Sequence, residues 1–171
     1  NMAVGETYNI KPTIGYLSTN SYPNKEDFED ANLDLVMTSA SNTPLTIITP
    51  PDPDVFEGNS GKVTLADTNT VFEVASSAPF TLPLNTLTYV ELNYKSEIDF
   101  TLGAYITAGS VYKQDLLNIR ASSTWKKIYI NINDLGGVVS NGTAYKIYIH
   151  AFKPSTVQSA NLFFDNFKVV Y

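Results

Sequence analysis

The rhythm of its apolar residues constrains this chain more than any other feature. From Trp125 to the end it reads WKKIYINI, YKIYIHAF and ANLFFDNFKVVY, three runs separated by Gly, Asn, Ser or Pro. β-Branched and aromatic residues recur in them at about every second position, which puts one set of side chains on each face of an extended strand. Thr88 to Lys95 and Ile98 to Thr107, joined by Ser96-Glu97, share the period. So do shorter runs at Leu33–Met37, Leu45–Ile48, Lys62–Ala66 and Val71–Ala75. No window of eleven residues convincingly holds apolar side chains at i, i+3, i+4 and i+7, so no long amphipathic helix is expected. The pattern predicts an all-β chain of roughly eight to ten strands, folded as a two-sheet antiparallel β-sandwich. A propeller or solenoid is disfavoured, because there is no internal repeat.

Punctuation between the runs supports this reading. Pro50-Pro51-Asp52-Pro53-Asp54 is a rigid surface connection, since proline fixes φ and removes a donor. Pro79 to Pro83 reads as a buried loop carrying Phe80 and Leu82, and Asn141-Gly142 as a tight turn leading into Tyr145. Asn24 to Asp30 is the most helix-compatible piece, with Asn24 as a cap, but it is long enough for only a turn or two. Between Val111 and Ile119 the pattern is weak. Residues 1–24 mix Gly and Pro with short apolar pieces and predict an extended lead-in, one strand or a linker from a membrane anchor. The sandwich is then expected over 25–171.

Composition excludes several function classes. A chain of 171 residues can bury a full core, and 43% hydrophobic residues rule out disorder. Charged residues are only 16%, so neutral polar groups must form much of the surface, a trait associated with extracellular proteins. A net charge of −6 argues against nucleic acid as a partner. Lys126-Lys127, the one adjacent basic pair, reads as a solvated strand edge. With no cysteine there is no disulfide scaffold, thiolate metal site or cysteine nucleophile. No run of 18 apolar residues is present to span a membrane. The start at Asn1 is compatible with a trimmed mature form and a lipid anchor in a precursor.

Alternation divides the strand faces. Val90, Leu92 and Tyr94 oppose Tyr89, Glu91, Asn93 and Lys95; Phe100, Leu102, Ala104 and Ile106 oppose Thr101, Gly103 and Tyr105. Ile128, Ile130 and Ile132 oppose Lys127, Tyr129 and Asn131, while Tyr145, Ile147, Ile149 and Ala151 oppose Lys146, Tyr148, His150 and Phe152. The first sets are core. If these strands share a sheet, the second sets gather Tyr89, Glu91, Asn93, Tyr105, Tyr129, Asn131, Tyr148 and His150 on one face. Flat rings stack on the apolar faces of sugars, and amide and carboxylate groups satisfy hydroxyls, so such a face suits a glycan. Tyrosines are equally good strand residues on half-exposed faces or beneath a partner domain.

Catalysis has little support. There is no GxSxG elbow and no phosphate-binding glycine loop, and the lone His150 lies mid-strand. The carboxylates Glu26, Asp27, Glu29 and Asp30, and those of Glu91, Glu97 and Asp99, read as local turns and a hairpin. The chain is read as no enzyme. Asp165 is different. It lies in Phe163-Phe164-Asp165-Asn166-Phe167, where an ionised group needs a partner. A hard cation with oxygen ligands would serve, and so would backbone N–H groups or a lysine such as Lys62.

Three pieces in order resemble jelly-roll carbohydrate-binding modules and the wider galactose-binding-like sandwiches. They are Asp27-Phe28-Glu29-Asp30, the run from Glu57 through Gly58 and Gly61 to Leu65, and Leu162 to Val169 with its central Asp165-Asn166. The style of Tyr89 to Lys95 and of Trp125 to Ile130 is also similar to surface lipoproteins of Bacteroidetes-type gut bacteria. The resemblance implies a jelly roll, sugar binding, an extracellular or outer-surface location, and a structural calcium. Its ligands would be Glu29, Asp165 and carbonyls near Ser60 to Lys62, with Glu57 as the alternative to Glu29. The tryptophan-rich platforms of such modules are not matched, and Trp125 is expected to be buried packing. The competing class is a structural or adhesive surface module that binds protein partners.

Overall fold

A computed structural model describes residues 25–83, 86–135 and 142–171. The lead-in read over 1–24 and the turn signal at Asn141 lie outside them. Over the described residues the alternation becomes pairing in eleven strands: β1 (Lys25–Glu26), β2 (Leu35–Met37), β3 (Thr46–Ile48), β4 (Ser60–Ala66), β5 (Val71–Ser76), β6 (Tyr89–Ser96), β7 (Phe100–Ala108), β8 (Ser110–Ile119), β9 (Ser122–Asn131), β10 (Ala144–Phe152) and β11 (Ser159–Val170). One sheet runs β3-β4-β11-β6-β9, with β1 added beside β4 on the same edge of β11; the other runs β2-β5-β10-β7-β8. Every pairing is antiparallel. This is the two-sheet antiparallel sandwich that the period of two predicts, in the jelly-roll form that the resemblance implies.

The core lies where the inward sets of both sheets meet. Val63, Leu65, Leu92, Leu102, Ile147, Ile149, Leu162 and Phe164 are fully buried there. Phe164 lies 5.9 Å from Phe72 and 5.4 Å from Phe100, whose ring meets Tyr94 edge-on. A β-bulge between Asp165 and Lys168, with Asn166 at φ 49°, shifts the phase of β11 by one residue. Asparagine tolerates that left-handed conformation. The shift lets Phe164, Phe167 and Val169 all face the core while Asp165 faces outward.

Three local expectations are corrected. Asn24 to Asp30 is not helical where it is described: Lys25–Glu26 is a strand and a tight turn follows. Glu26, 3% exposed, accepts the amides of Phe28, Asp34 and Leu35, and this draws the chain back on itself. Phe28 thereby takes φ 59° and drives its ring into the core above Gly61, where a Cβ would stand 2.5 Å from the ring. The weak stretch at Val111 to Ile119 is the ten-residue edge strand β8. Its pattern is weak because most of its side chains meet solvent on both faces. Trp125 is half-buried against Phe56 of the β3–β4 connection, with ring centroids 5.1 Å apart, and is not a core residue.

Candidate functional site

The expected single tyrosine face is two faces. Tyr89, Glu91, Asn93, Tyr129 and Asn131 lie on β6 and β9 of the six-stranded sheet, whereas Tyr105, Tyr148 and His150 lie on β7 and β10 of the other. Within each strand the outward set is the one that alternation predicts. Alternation fixes which way a side chain points, but not which strands become neighbours, and here neighbours come from opposite ends of the chain.

On the five-stranded sheet the outward set converges on Glu73 of β5, which is fully buried although it faces away from the core. His150 is its direct cross-strand partner, and Tyr148 opposes Gly103 of β7. The Glu73 carboxylate accepts Thr38 Oγ1 at 2.7 Å, Tyr105 OH at 2.5 Å and Lys113 Nζ at 2.5 Å, with His150 Nδ1 3.2 Å away but out of line for a hydrogen bond. Burial alone would raise the acid's pKa, but these donors outweigh it and hold Glu73 below the usual glutamate value. The Tyr105 hydroxyl, buried and bonded to that carboxylate, is pushed up to about 12. Tyr148 is fully buried: its ring lies over Gly103, its hydroxyl bonds Asp115, and Lys113 Nζ sits 4.6 Å above it. Tyr105 and His150 remain half-exposed, and Phe152 is open at 59%.

On the six-stranded sheet the β3–β4 connection lies across part of the outward face. Asp54 pairs with Lys95 at 2.5 Å, the Phe56 amide bonds Ser60 Oγ, and Phe56 covers Trp125. Beneath this cover Asn93, Phe163 and Asp165 are buried, and the Asn93 amide has no partner among the described residues. Lys62 and Lys95 flank the Phe163 ring at 5.4 and 5.5 Å. The uncovered part holds Tyr89, Glu91, Tyr129 and Asn131, with Tyr129 55% exposed.

Asp165 sits at a cleft of about 480 Å³ lined by Asp27, Glu29, Glu57, Gly58, Asp165 and Asn166. Its oxygens accept Ser60 Oγ at 2.9 Å and the Asn166 amide at 2.6 Å. Burial, with Glu29 adding repulsion, pushes its carboxyl up to about 6 against those hydrogen bonds. Glu29 accepts the Asn59 amide and packs on Gly58, whose φ of 57° and lack of a Cβ leave room for it. Four carboxylate residues around one cleft are hard oxygen donors of the kind calcium takes. Among the described residues, no three acids or histidines stand close enough together to hold an ion as the side chains are placed. Of the carbonyls expected near Ser60 to Lys62, that of Lys62 accepts Thr46 Oγ1. The Ser60 hydroxyl links Asp165 to the Phe56 amide. Glu57, the expected alternative to Glu29, lines the cleft beside it, and so does Asp27.

Alternation alone does not single out Glu73, Lys113 and Asp115. The sequence signal for Glu73 is its place as the lone charge in VFEVA, and the other two sit at alternate positions of the strand whose pattern is weakest.

No protein-family model matches the sequence, and no curated protein matches it. Solved structures do match. A family 29 carbohydrate-binding module aligns with TM-score 0.54 at 6% identity, over 86% of this chain and 91% of that one. A carbohydrate-binding module of the β-sandwich superfamily, described as promiscuous in specificity, aligns at 0.58 and 12% over 90% and 64%. The family 11 module of a cellulosomal cellulase of Clostridium thermocellum aligns at 0.51 and 17% over 84% and 91%. The likeness is one of fold: these modules share the two-sheet antiparallel sandwich.

Proposed function

We propose that the chain is a non-catalytic carbohydrate-binding module of a secreted or surface-anchored protein, with the outer face of the five-stranded sheet as its glycan site. The observation that carries this reading is the Glu73 network. A charged group withheld from solvent on an outward face, braced by Thr38, Tyr105 and Lys113, costs more than a structural surface requires. It does fix Tyr105 in place beside His150 and other hydrogen-bonding groups, as a sugar face demands. Tyr148 supports that face from beneath. The fold of the solved modules supports the same class. The test is affinity electrophoresis or calorimetry against a polysaccharide panel, with Tyr105→Ala and His150→Ala beside the native chain. Saturable binding that weakens about tenfold or more in either variant supports the reading. A panel without binding, or binding untouched by both substitutions, counts against it.

The same reading includes calcium as a structural clip at the Asp165 cleft, where Asp27, Glu29 and Glu57 would join Asp165 around the ion. Its support is a buried carboxyl facing a second carboxylate. Binding to the native state alone must stabilise it, so millimolar calcium should raise the melting temperature and chelator reverse the gain. A melting temperature indifferent to both would remove the ion from this account.

The second reading, an adhesive module for protein partners, draws on β8. This edge strand, unpaired on one side among the described residues, exposes Val111 at 67%, Tyr112 at 48% and Leu117 at 45%. Silence across the polysaccharide panel, with partner capture abolished by Val111→Lys, would favour it.

A further inference from the structure

The open part of the six-stranded sheet carries its own constellation. Tyr129 on β9, Glu91 on β6 and Lys168 on β11 are direct cross-strand partners, and Lys25 on β1 continues the row. At about 4.8 Å between strands the row is roughly 14 Å long. On the same face Tyr89 and Asn131 pair across β6 and β9 one pleat to one side, and Lys127 lies one pleat to the other.

Glu91, 6% exposed, organises the row. Its Oε1 lies 2.8 Å from Lys127 Nζ and 3.1 Å from Lys168 Nζ, and the Tyr129 hydroxyl helps the lysines hold that carboxyl below the ordinary glutamate value. One carboxylate oxygen thus fixes two ammonium groups beside an open ring, with Lys127 Nζ 5.9 Å from the Tyr129 centroid. An ammonium has three donors, and Lys127, whose side chain is 45% exposed, keeps donors for solvent or a ligand. A neutral sugar stacked on Tyr129 would desolvate that ammonium and return nothing charged to it. A sugar bearing an oxyanion would replace the lost water with a charge-assisted hydrogen bond. Two ammonium groups share one carboxylate here, which leaves a local positive excess on a chain of net charge −6, so a polyanion would be drawn to this spot and not to the surface at large.

We propose that this face is a second glycan site, selective for acidic glycans whose carboxylate or sulfate oxygens meet Lys127 while a ring stacks on Tyr129. The proposal rests on the carbohydrate reading of the chain but concerns the opposite face of the sandwich, so the two sites can fail separately. The test is calorimetric titration of the full chain with polygalacturonate, a sulfated galactan and a neutral galactan, at low and moderate salt. At least one acidic polymer should bind and weaken as salt rises, and the neutral galactan should not compete for it. Tyr129→Ala and Lys127→Gln should each weaken that binding about tenfold or more, while Tyr105→Ala leaves it unchanged. Both substituted residues are exposed and Lys127→Gln leaves Lys168 on Glu91, so unchanged melting temperatures will certify the fold. Binding of the uronate polymer alone identifies a carboxylate ligand, and of the sulfated polymer alone a sulfate. Failure of both acidic polymers to bind, or binding that survives both substitutions, overturns the second site. Acidic-polymer binding lost only in Tyr105→Ala overturns it as well, and leaves the first face standing.

Discussion

Glu73 and Glu91 meet the same problem on opposite sheets. Each is a buried carboxylate on an outward face, burial pushes each carboxyl up, and lysine and tyrosine donors outweigh that burial to leave each below the ordinary glutamate value of 4.5. An acid whose pKa is lower in the folded chain than in the unfolded one stabilises the fold fully above about 4.5, and loses that contribution as pH falls through the lowered value. Glu26, which burial raises despite three backbone donors, works in the opposite sense. Glu73→Gln should therefore cost about 2 kcal/mol in urea unfolding at pH 7, and the gap from the native chain should narrow as pH drops toward 3. A gap independent of pH would show that Glu73 contributes by shape alone. Gly103 makes a second residue-scale case: a Cβ there would lie 2.2 Å from Tyr148 Cζ and 2.5 Å from the Gln114 carbonyl. Gly103→Ala should destabilise by about 1–3 kcal/mol, measured the same way, because neither the buried ring nor the strand backbone can yield cheaply.

Among the elements, the β3–β4 connection most changes what the sheets present, since it covers Asn93, Phe163 and Asp165. Its anchors are the Asp54–Lys95 ion pair and the Phe56 ring on Trp125. Trp125 is the single tryptophan, so its emission reports directly on that docking. Phe56→Ala should shift the emission to the red and cost roughly 1 kcal/mol, with little effect on the five-stranded face. Emission that stays put would mean the connection is held without this ring pair. The reach of sequence reasoning is clearest at this scale. Strands with one face in the core, such as Thr88 to Lys95 and Tyr145 to Phe152, announce themselves by alternation. The edge strand β8 does not, because solvent on both sides removes the contrast. Rings assigned to a common face by alternation were separated by topology, which no local pattern contains. The burial of Asn93 and Trp125 depends on a proline-rich connection folding back over the sheet, a tertiary event invisible in its own residues. Asp165 was legible because an acid among phenylalanines demands an explanation wherever it is placed.

For the molecule as a whole, the decisive element is the long strand at the centre of the six-stranded sheet. β11 lies between β4 and β6 in the middle of the six-stranded sheet, receives β1, and supplies Phe164 to the aromatic core and Asp165 to the acidic cleft. Without it β4 and β6 each lose a ladder, β1 has no partner, and the two candidate glycan faces lose the layer that holds them apart. The remaining strands would expose a strip of unpaired backbone alongside buried apolar side chains, which is the setting for aggregation and not for a smaller fold. A chain ending at Gln158 should therefore show no cooperative thermal transition, and it should recover one when a peptide spanning 159–171 is added in excess. Recovery is expected because that segment carries its own inward pattern and both of its edges are already templated by β4 and β6. A truncated chain that melts cooperatively by itself would place the folding unit elsewhere in the sandwich, and would detach the acidic cleft from the stability of the sheet on which it is built.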